Sequence, residues 1–535
     1  MTRWPSNLTW IVLFFLGAFP ALIPAQTLDV IGVTALRAIT TNLNGAGIRV
    51  AQPEASLTSD LLTWEVNPAD VAQSPSLFTY TSMGGSTNVY PNTLGFVSWH
   101  ANGVGDAIYG AVNGVATNLA RVDTYQADYF ITNYIGNLLP IPAVSLVNQS
   151  FTFGTETTNL PTPPDQLSVA DQRELDAAYD DYAVNFQTLF ISAANNGGTI
   201  SPPGTAYNCI GVGAFGGSSG VGPTLDNGRS KPDLTAPAGY TSFSTPLVTG
   251  CAAVLMQAAL RCDGGSDTNS AFDARTIKAL LINGAVKPLD WTNTPPAPLD
   301  SRYGAGVVNL VNAHQQLAGG KFGASFTTNI PLANPHPPVG VTNIISALSG
   351  WDFSTNISSA TDDGVKHYFF AVTNAAGAGN FIGTATLVWQ RHFGQSNINN
   401  LDLFLFNAAN SNLVAVSTSR VDNVEHLYLP QLPAGRYDLQ VVKNGGTNLV
   451  GVAEAYALAW EFLAPTLQLT QTGTNGVLNW PVYPAGFRAE ARTNLLAGTW
   501  QTNGLSAANL TNGQNSIRLN TTNAMQFFRL RRPNF

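Results

Sequence analysis

The chain is poor in charge: only 10% of its 535 residues are Asp, Glu, Lys or Arg, and 24 basic residues stand against 32 acidic ones. A net charge of −8 with no basic stripe leaves a polyanion nothing to grip, which excludes nucleic acid as a partner. Cysteine is scarce as well. With three residues, at least one stands outside any intrachain disulfide. Cys251 and Cys262 would lie about 16 Å apart on one helix, too far to bridge. Cys209 and Cys251 sit in apolar runs and read as small buried hydrophobes. No CxxC pair or histidine cluster suggests zinc. Histidine occurs six times, and only His100 precedes the segment singled out below.

Beyond the N-terminus no apolar run of membrane length appears. The first 25 residues carry Arg3, the run TWIVLFFLGAF, then small residues and Pro24-Ala25. That is the pattern of a signal peptide cleaved after about Ala25, too short for a comfortable membrane span. It predicts a secreted, periplasmic or cell-surface protein with no span after cleavage. Asn, Thr, Ser and Gly supply much of the remaining polarity, consistent with an uncharged, hydrogen-bonding surface.

The length allows two to four domains. Over residues 26–320, strand-like runs (GIRVAQ, AVSLV, TLFISAA, CIGVGA) alternate with helical patterns such as SVADQRELDAAYDDYAVNF, where Ser168 and Asp171 have capping-box spacing. Alternation of this kind implies an α/β fold, a mostly parallel sheet covered by helices on both faces. From 321 to 465 short alternating runs such as NLDLFLFNA and RYDLQVVK predict an antiparallel β-sandwich, and 466–535 a small β-module. Asp402, Asp422 and Glu425 read as solvated loop acids rather than ligands.

The run AGYTSFSTP followed by LVTGCAAVLMQAAL places Ser242 on a turn at the start of an apolar helix, with Pro246 in its first turn. Two readings stand open there. Ser242 is a helix-capping serine, or a nucleophile whose oxyanion would face backbone N–H groups and a positive dipole end. Upstream, FVSWHANGVGDAIYG holds His100, GIRVAQPEAS ends a strand on Glu54, and FISAANNGG places Asn195 after another strand.

These four segments, in this order, resemble the subtilisin-like serine peptidases. The resemblance implies Ser242 as nucleophile, His100 as general base, Glu54 as triad acid and Asn195 as oxyanion donor. VSLVNQSFTFG is similar to the family's substrate-binding strand, implying Ser150 and Phe151 at the first specificity pocket. The family's usual acid is aspartate, so Glu54 is a departure, and Asp60 and Asp106 are alternative acids. Sedolisins pair glutamate with serine but use aspartate for the oxyanion, so His100 and Asn195 point to the subtilisin branch. Tyr240 replaces a customary glycine and Leu247 a customary histidine. No cofactor is implied; calcium occurs in such peptidases, but no ligand loop is legible here. About twenty residues separate the leader from GAGIRVA, short for the family's usual propeptide. Residues 321–465 resemble prepeptidase or proprotein-convertase-type β-domains, and the C-terminal modules are expected to bind a surface, glycan or protein. The expected partners are protein or peptide substrates. The alternative is a non-catalytic subtilisin-like binding protein with a degraded triad; an α/β-hydrolase is disfavoured because no GxSxG elbow occurs.

Overall fold

The computed structural model describes residues 24–90, 94–141, 144–154, 167–332, 336–340, 343–373, 380–446, 449–472, 475–495, 498–502, 505–506, 508–511, 513–520 and 526–532. All but the last two residues of the expected leader lie outside these.

Eight strands form the central sheet: β1 (Arg49–Glu54), β2 (Phe78–Thr81), β3 (Thr87–Val89), β4 (Arg121–Gln126), β5 (Leu146–Gln149), β6 (Leu189–Ala193), β7 (Ile210–Phe215) and β8 (Leu234–Pro237). Their order is β8-β7-β6-β5-β1-β4-β2-β3, and only the β2–β3 pairing is antiparallel. Side chains alternate between two apolar layers, as a parallel sheet buried on both faces requires. Val50, Leu146, Leu189 and Ile191 enter one core cluster; Ala51, Val147 and Phe190 enter another. The expected two-sided α/β architecture is what the chain forms.

The main helices are α1 (Pro24–Val30), α2 (Val33–Ile39), α3 (Trp99–Tyr109), α4 (Val169–Phe186), α5 (Thr241–Leu260), α6 (Ala274–Gly284) and α7 (Leu310–Ala318). Helices α3 and α5 contribute to the first layer, while α4 covers the opposite face with Leu175, Tyr179 and Tyr182. Ser168 and Asp171 close a capping box at the start of α4. Helix α5 is apolar enough to span a membrane, yet 89% of its most apolar window is buried inside the protein. It is a core helix. Helices α1 and α2 lack a clear sequence signal; Ile31, Val33 and Leu36 dock into the same core, and the Leu310 N–H donates to the Ile31 carbonyl at 2.7 Å.

After α7 the chain builds antiparallel sheets. One four-stranded sheet (Ser349–Ser358, Ala453–Leu463, Asn380–Trp389, Val424–Pro433) packs one face on α6, with Val388, Ala457 and Ala459 sharing the core of the first domain. Its other face meets the sheet containing Asp363–Val372, Leu401–Asn407 and Gly435–Lys443 across a core that includes Trp389 and Trp460. The last module has a small core of Leu478, Trp480, Ala489, Ile517 and Leu519.

Polar bonds fasten the sandwich to the first domain. Arg391 binds Asp180 at 3.0 Å and Asp181 at 2.6 Å. Asn423 donates to the Tyr207 carbonyl, and the Ser230 N–H donates to Asp422. The acids expected to be solvated are therefore not. Asp402, Asp422 and Glu425 are 8%, 5% and 0% exposed, and Glu425 accepts from the Ser417 hydroxyl and the Ser419 N–H. They are not solvated loop acids, because neighbouring segments and the first domain cover them.

Two consequences are measurable. Arg391→Ala strands the buried Asp180 charge, so it is expected to cost about 3–5 kcal/mol, read as a lowered unfolding midpoint that Arg391→Met/Asp180→Leu largely restores. Burial also lifts the Asp402 carboxyl from 3.8 to about 6. The folded chain then holds more protons than the unfolded one between those values, so stability falls as pH rises through that window. Asp402→Asn is expected to remove roughly 2–3 kcal/mol of that loss, giving a smaller drop in Tm from pH 4 to pH 7 than the parent shows.

Candidate active site

Strand β1 carries its acid at its carboxyl end, where open α/β sheets form their clefts. Gln52 and Glu54 follow Val50 at every second position and so share its face. Pro53 lies between them in the middle of a sheet, a position that normally needs a donor. It is tolerated because the β5 pairing ends at Ala51, leaving only β4 alongside.

Helix α3 begins above this strand end. Ser98 caps it by accepting from the Ala101 N–H at 3.2 Å, which sets His100 at the second helical position. His100 Nδ1 meets Glu54 Oε2 at 2.9 Å, with the two side chains 4% and 2% exposed. The extra methylene of glutamate thus spans the gap between β1 and the ring. Glu54 Oε1 accepts from Gln52 Nε2 at 2.9 Å. The alternative acids are occupied elsewhere: Asp60 accepts from Thr58 and Leu62 in its own loop, and Asp106 from Asn113.

Ser242 is the second residue of α5, and Phe243 beside it packs on the His100 ring with centroids 5.6 Å apart. The backbone makes room for this contact. A Cβ at Gly103 would stand 2.7 Å from Phe243, so α3 and α5 approach through a glycine. Ser242 is 7% exposed, and its hydroxyl donates to the Ser150 carbonyl at 3.2 Å. The structure therefore joins Glu54 to His100 and Ser242 to the Ser150 backbone. Phe151 is 6% exposed, with its ring against Phe153 in the core under the sheet.

The two asparagines divide their work differently from expectation. Asn195 has φ of 81° and turns its amide back into its own loop, donating to the Thr199 carbonyl at 3.2 Å and Ser201 at 3.3 Å. Its neighbour Asn196 reaches the start of α5, where Oδ1 accepts from the Thr241 N–H and hydroxyl, both at 2.8 Å. A backbone N–H only donates, so the oxygen of Asn196 must face Thr241 and its NH2 must face the other way. Asparagine tolerates the left-handed conformation that Asn195 adopts, but a tandem Asn-Asn does not say which of the two will take it.

Among the described residues no group of three or more His, Cys, Asp or Glu side chains could hold a metal ion. The arrangement is a buried carboxylate–imidazole pair beside a helix N-terminus carrying a serine, with the Asn196 side chain anchored at the start of that helix. Such a set can move a proton from a hydroxyl and stabilise an oxyanion.

Residues 110–306 match the model of the Subtilase family. Asn195, Asn196 and Ser242 lie within that span; Glu54 and His100 precede it, and the antiparallel sheets follow it. A search of curated proteins returns no match. Among solved structures, the chain is similar to the prenylagaramide maturation protease PagA at 19% identity, covering 54% of this chain and 99% of that one with a TM-score of 0.35. It is similar to the PatG macrocyclase in complex with peptide at 18% identity, over 54% and 97% of the two chains, TM-score 0.35. Tripeptidyl peptidase 2 matches at 11% identity, over 78% of this chain and 44% of that one, TM-score 0.29.

Proposed function

We propose, from the subtilase-family domain of residues 110–306 as premise, that the chain is a secreted serine endopeptidase that cleaves peptide bonds through an acyl-enzyme on Ser242. The observation that carries this reading is the buried 2.9 Å contact between Glu54 and His100, set against the helix that begins at Ser242. Secretion rests on the leader-like first 25 residues.

In this reading Glu54 accepts from His100 Nδ1–H, which leaves Nε2 as the basic nitrogen of the neutral ring. The Ser242 hydroxyl exchanges the Ser150 carbonyl for Nε2 as it attacks the scissile carbonyl. His100 then hands the proton to the departing amine, and Glu54 balances the imidazolium charge while it lasts. Water activated by the same nitrogen releases the acyl group. The oxyanion is met by the Ser242 N–H and, in place of Asn195, by the NH2 of Asn196, whose oxygen is anchored on Thr241. The Ser150 backbone lies within reach of Ser242 and lines the acyl side of the cleft, with Phe151 buried behind it.

Labelling with a fluorophosphonate probe between about pH 5 and 9 tests this reading. Covalent labelling of Ser242 that vanishes in Ser242→Ala and His100→Ala is the expected result, and Glu54→Gln is expected to slow turnover about 10⁴-fold. A folded protein that never labels is instead the non-catalytic binding form. Between the asparagines, Asn196→Ala is expected to lower kcat about 100- to 1000-fold. Asn195→Ala should act mainly on stability, through its turn. Equal kinetic losses would remove the distinction.

A further inference from the structure

Behind the carboxylate lies a second polar chain that the proposed chemistry does not use. The Tyr109 hydroxyl donates to Gln52 Oε1 at 2.5 Å, and Gln52 Nε2 donates to Glu54 Oε1 at 2.9 Å and to the Ala101 carbonyl at 3.1 Å. Tyr109 and Gln52 are both fully buried, and Glu54 is 1% exposed.

We infer that Gln52 and Tyr109 are positioning residues that hold a glutamate in the orientation the His100 pair requires. This rests on the peptidase reading for its catalytic meaning, though not for its geometry. The direction of every bond is forced. A carboxylate and a carbonyl only accept, so the NH2 of Gln52 must face Glu54 and Ala101, and its oxygen must face Tyr109. Burial pushes the Tyr109 phenol well above its usual range, so it remains a donor. Donation therefore converges on the carboxylate, from phenol through amide onto one oxygen and from the imidazole onto the other.

The placement goes beyond filling space. Gln52 stands two residues after Val50 on the same strand face, where an apolar side chain would satisfy the core at lower desolvation cost. Tyr109 comes from the far end of α3, the helix whose second residue is His100. One helix thus supplies both ends of the relay. Gly105 on the same helix leaves the space the phenol uses, since a Cβ there would overlap the Tyr109 hydroxyl. Glutamate has one more rotatable bond than aspartate, and pinning Oε1 through Gln52 removes the freedom that bond introduces. Without the phenol, Gln52 loses the partner that fixes its amide, and a flipped amide would present oxygen to a carboxylate.

The test uses the full chain with labelled histidine, in Tyr109→Phe, Gln52→Met and the double variant. Two quantities are read: the rate of fluorophosphonate labelling, and the downfield Nδ1–H resonance of His100, identified among the six histidines by its loss in His100→Ala. Labelling is expected to slow about tenfold in Tyr109→Phe and about 100-fold in Gln52→Met, as when a supporting hydrogen bond behind a functional ligand is lost. The double variant is expected to match Gln52→Met, because Tyr109 acts through Gln52. The His100 resonance is expected to move in each. If the parent protein does not label but the resonance still moves in both variants, the peptidase reading fails and the positioning role stands. Losses that multiply in the double variant, a resonance unmoved by either change, or no such resonance in the parent overturns the positioning role.

Discussion

A carboxylate sealed from water at the end of a strand needs hydrogen-bond partners for its oxygens. Glu54 meets that condition with His100 on one oxygen and Gln52 on the other, and much of the site is arranged around it. Strand β1 must end where it does, with Pro53 just past the last β5 rung. Helix α3 must be capped at Ser98 so that the imidazole overhangs the strand end. Helix α5 must come close enough for Phe243 to cover the ring, which the glycine at 103 allows. Each of these is a backbone decision made to suit one buried charge.

The rigidity behind that arrangement comes from layering. Helix α5 lies on the sheet, with α6 and α7 alongside it in the same core. The sandwich sheet closes over α6 in turn, and its attachment combines apolar burial with bonds that have a definite direction. Arg391 reaches two aspartates of α4, Asn423 holds the carbonyl of Tyr207, and Gln316 of α7 donates to Glu461 at 3.0 Å. Apolar area alone would permit several docking angles; these bonds select one. The β-modules are therefore part of the body that supports the cleft.

How legible this was in the sequence varied with the kind of signal. The sheet could be read because its strands are short apolar runs bounded by turns, and α4 because its cap is written in Ser168 and Asp171. Glu54, His100 and Ser242 stood out because their segments occur in one order with recognisable neighbours. The choice between Asn195 and Asn196 was not legible, because which residue of a tandem pair takes the left-handed conformation depends on the loop beyond it. Gln52 gave no sign, since a glutamine in a strand usually faces water and only the fold shows Tyr109 above it. The buried acids of the sandwich were misread for a related reason: an acid taken for a loop residue looks solvated until the surface that covers it is known. Helices α1 and α2 are too short to show a period, and their burial depends on a partner far along the chain.

That distant partner governs the order in which the domain can be completed. The Ile31 carbonyl is bonded by the amide of Leu310. A chain made from its amino end therefore carries the apolar face of these first helices, without α7 against it, through the synthesis of nearly the whole domain. Closure that joins such remote segments is entropically late and slow. The seam between the first helices and α7 therefore closes late, across nearly the whole length of the domain.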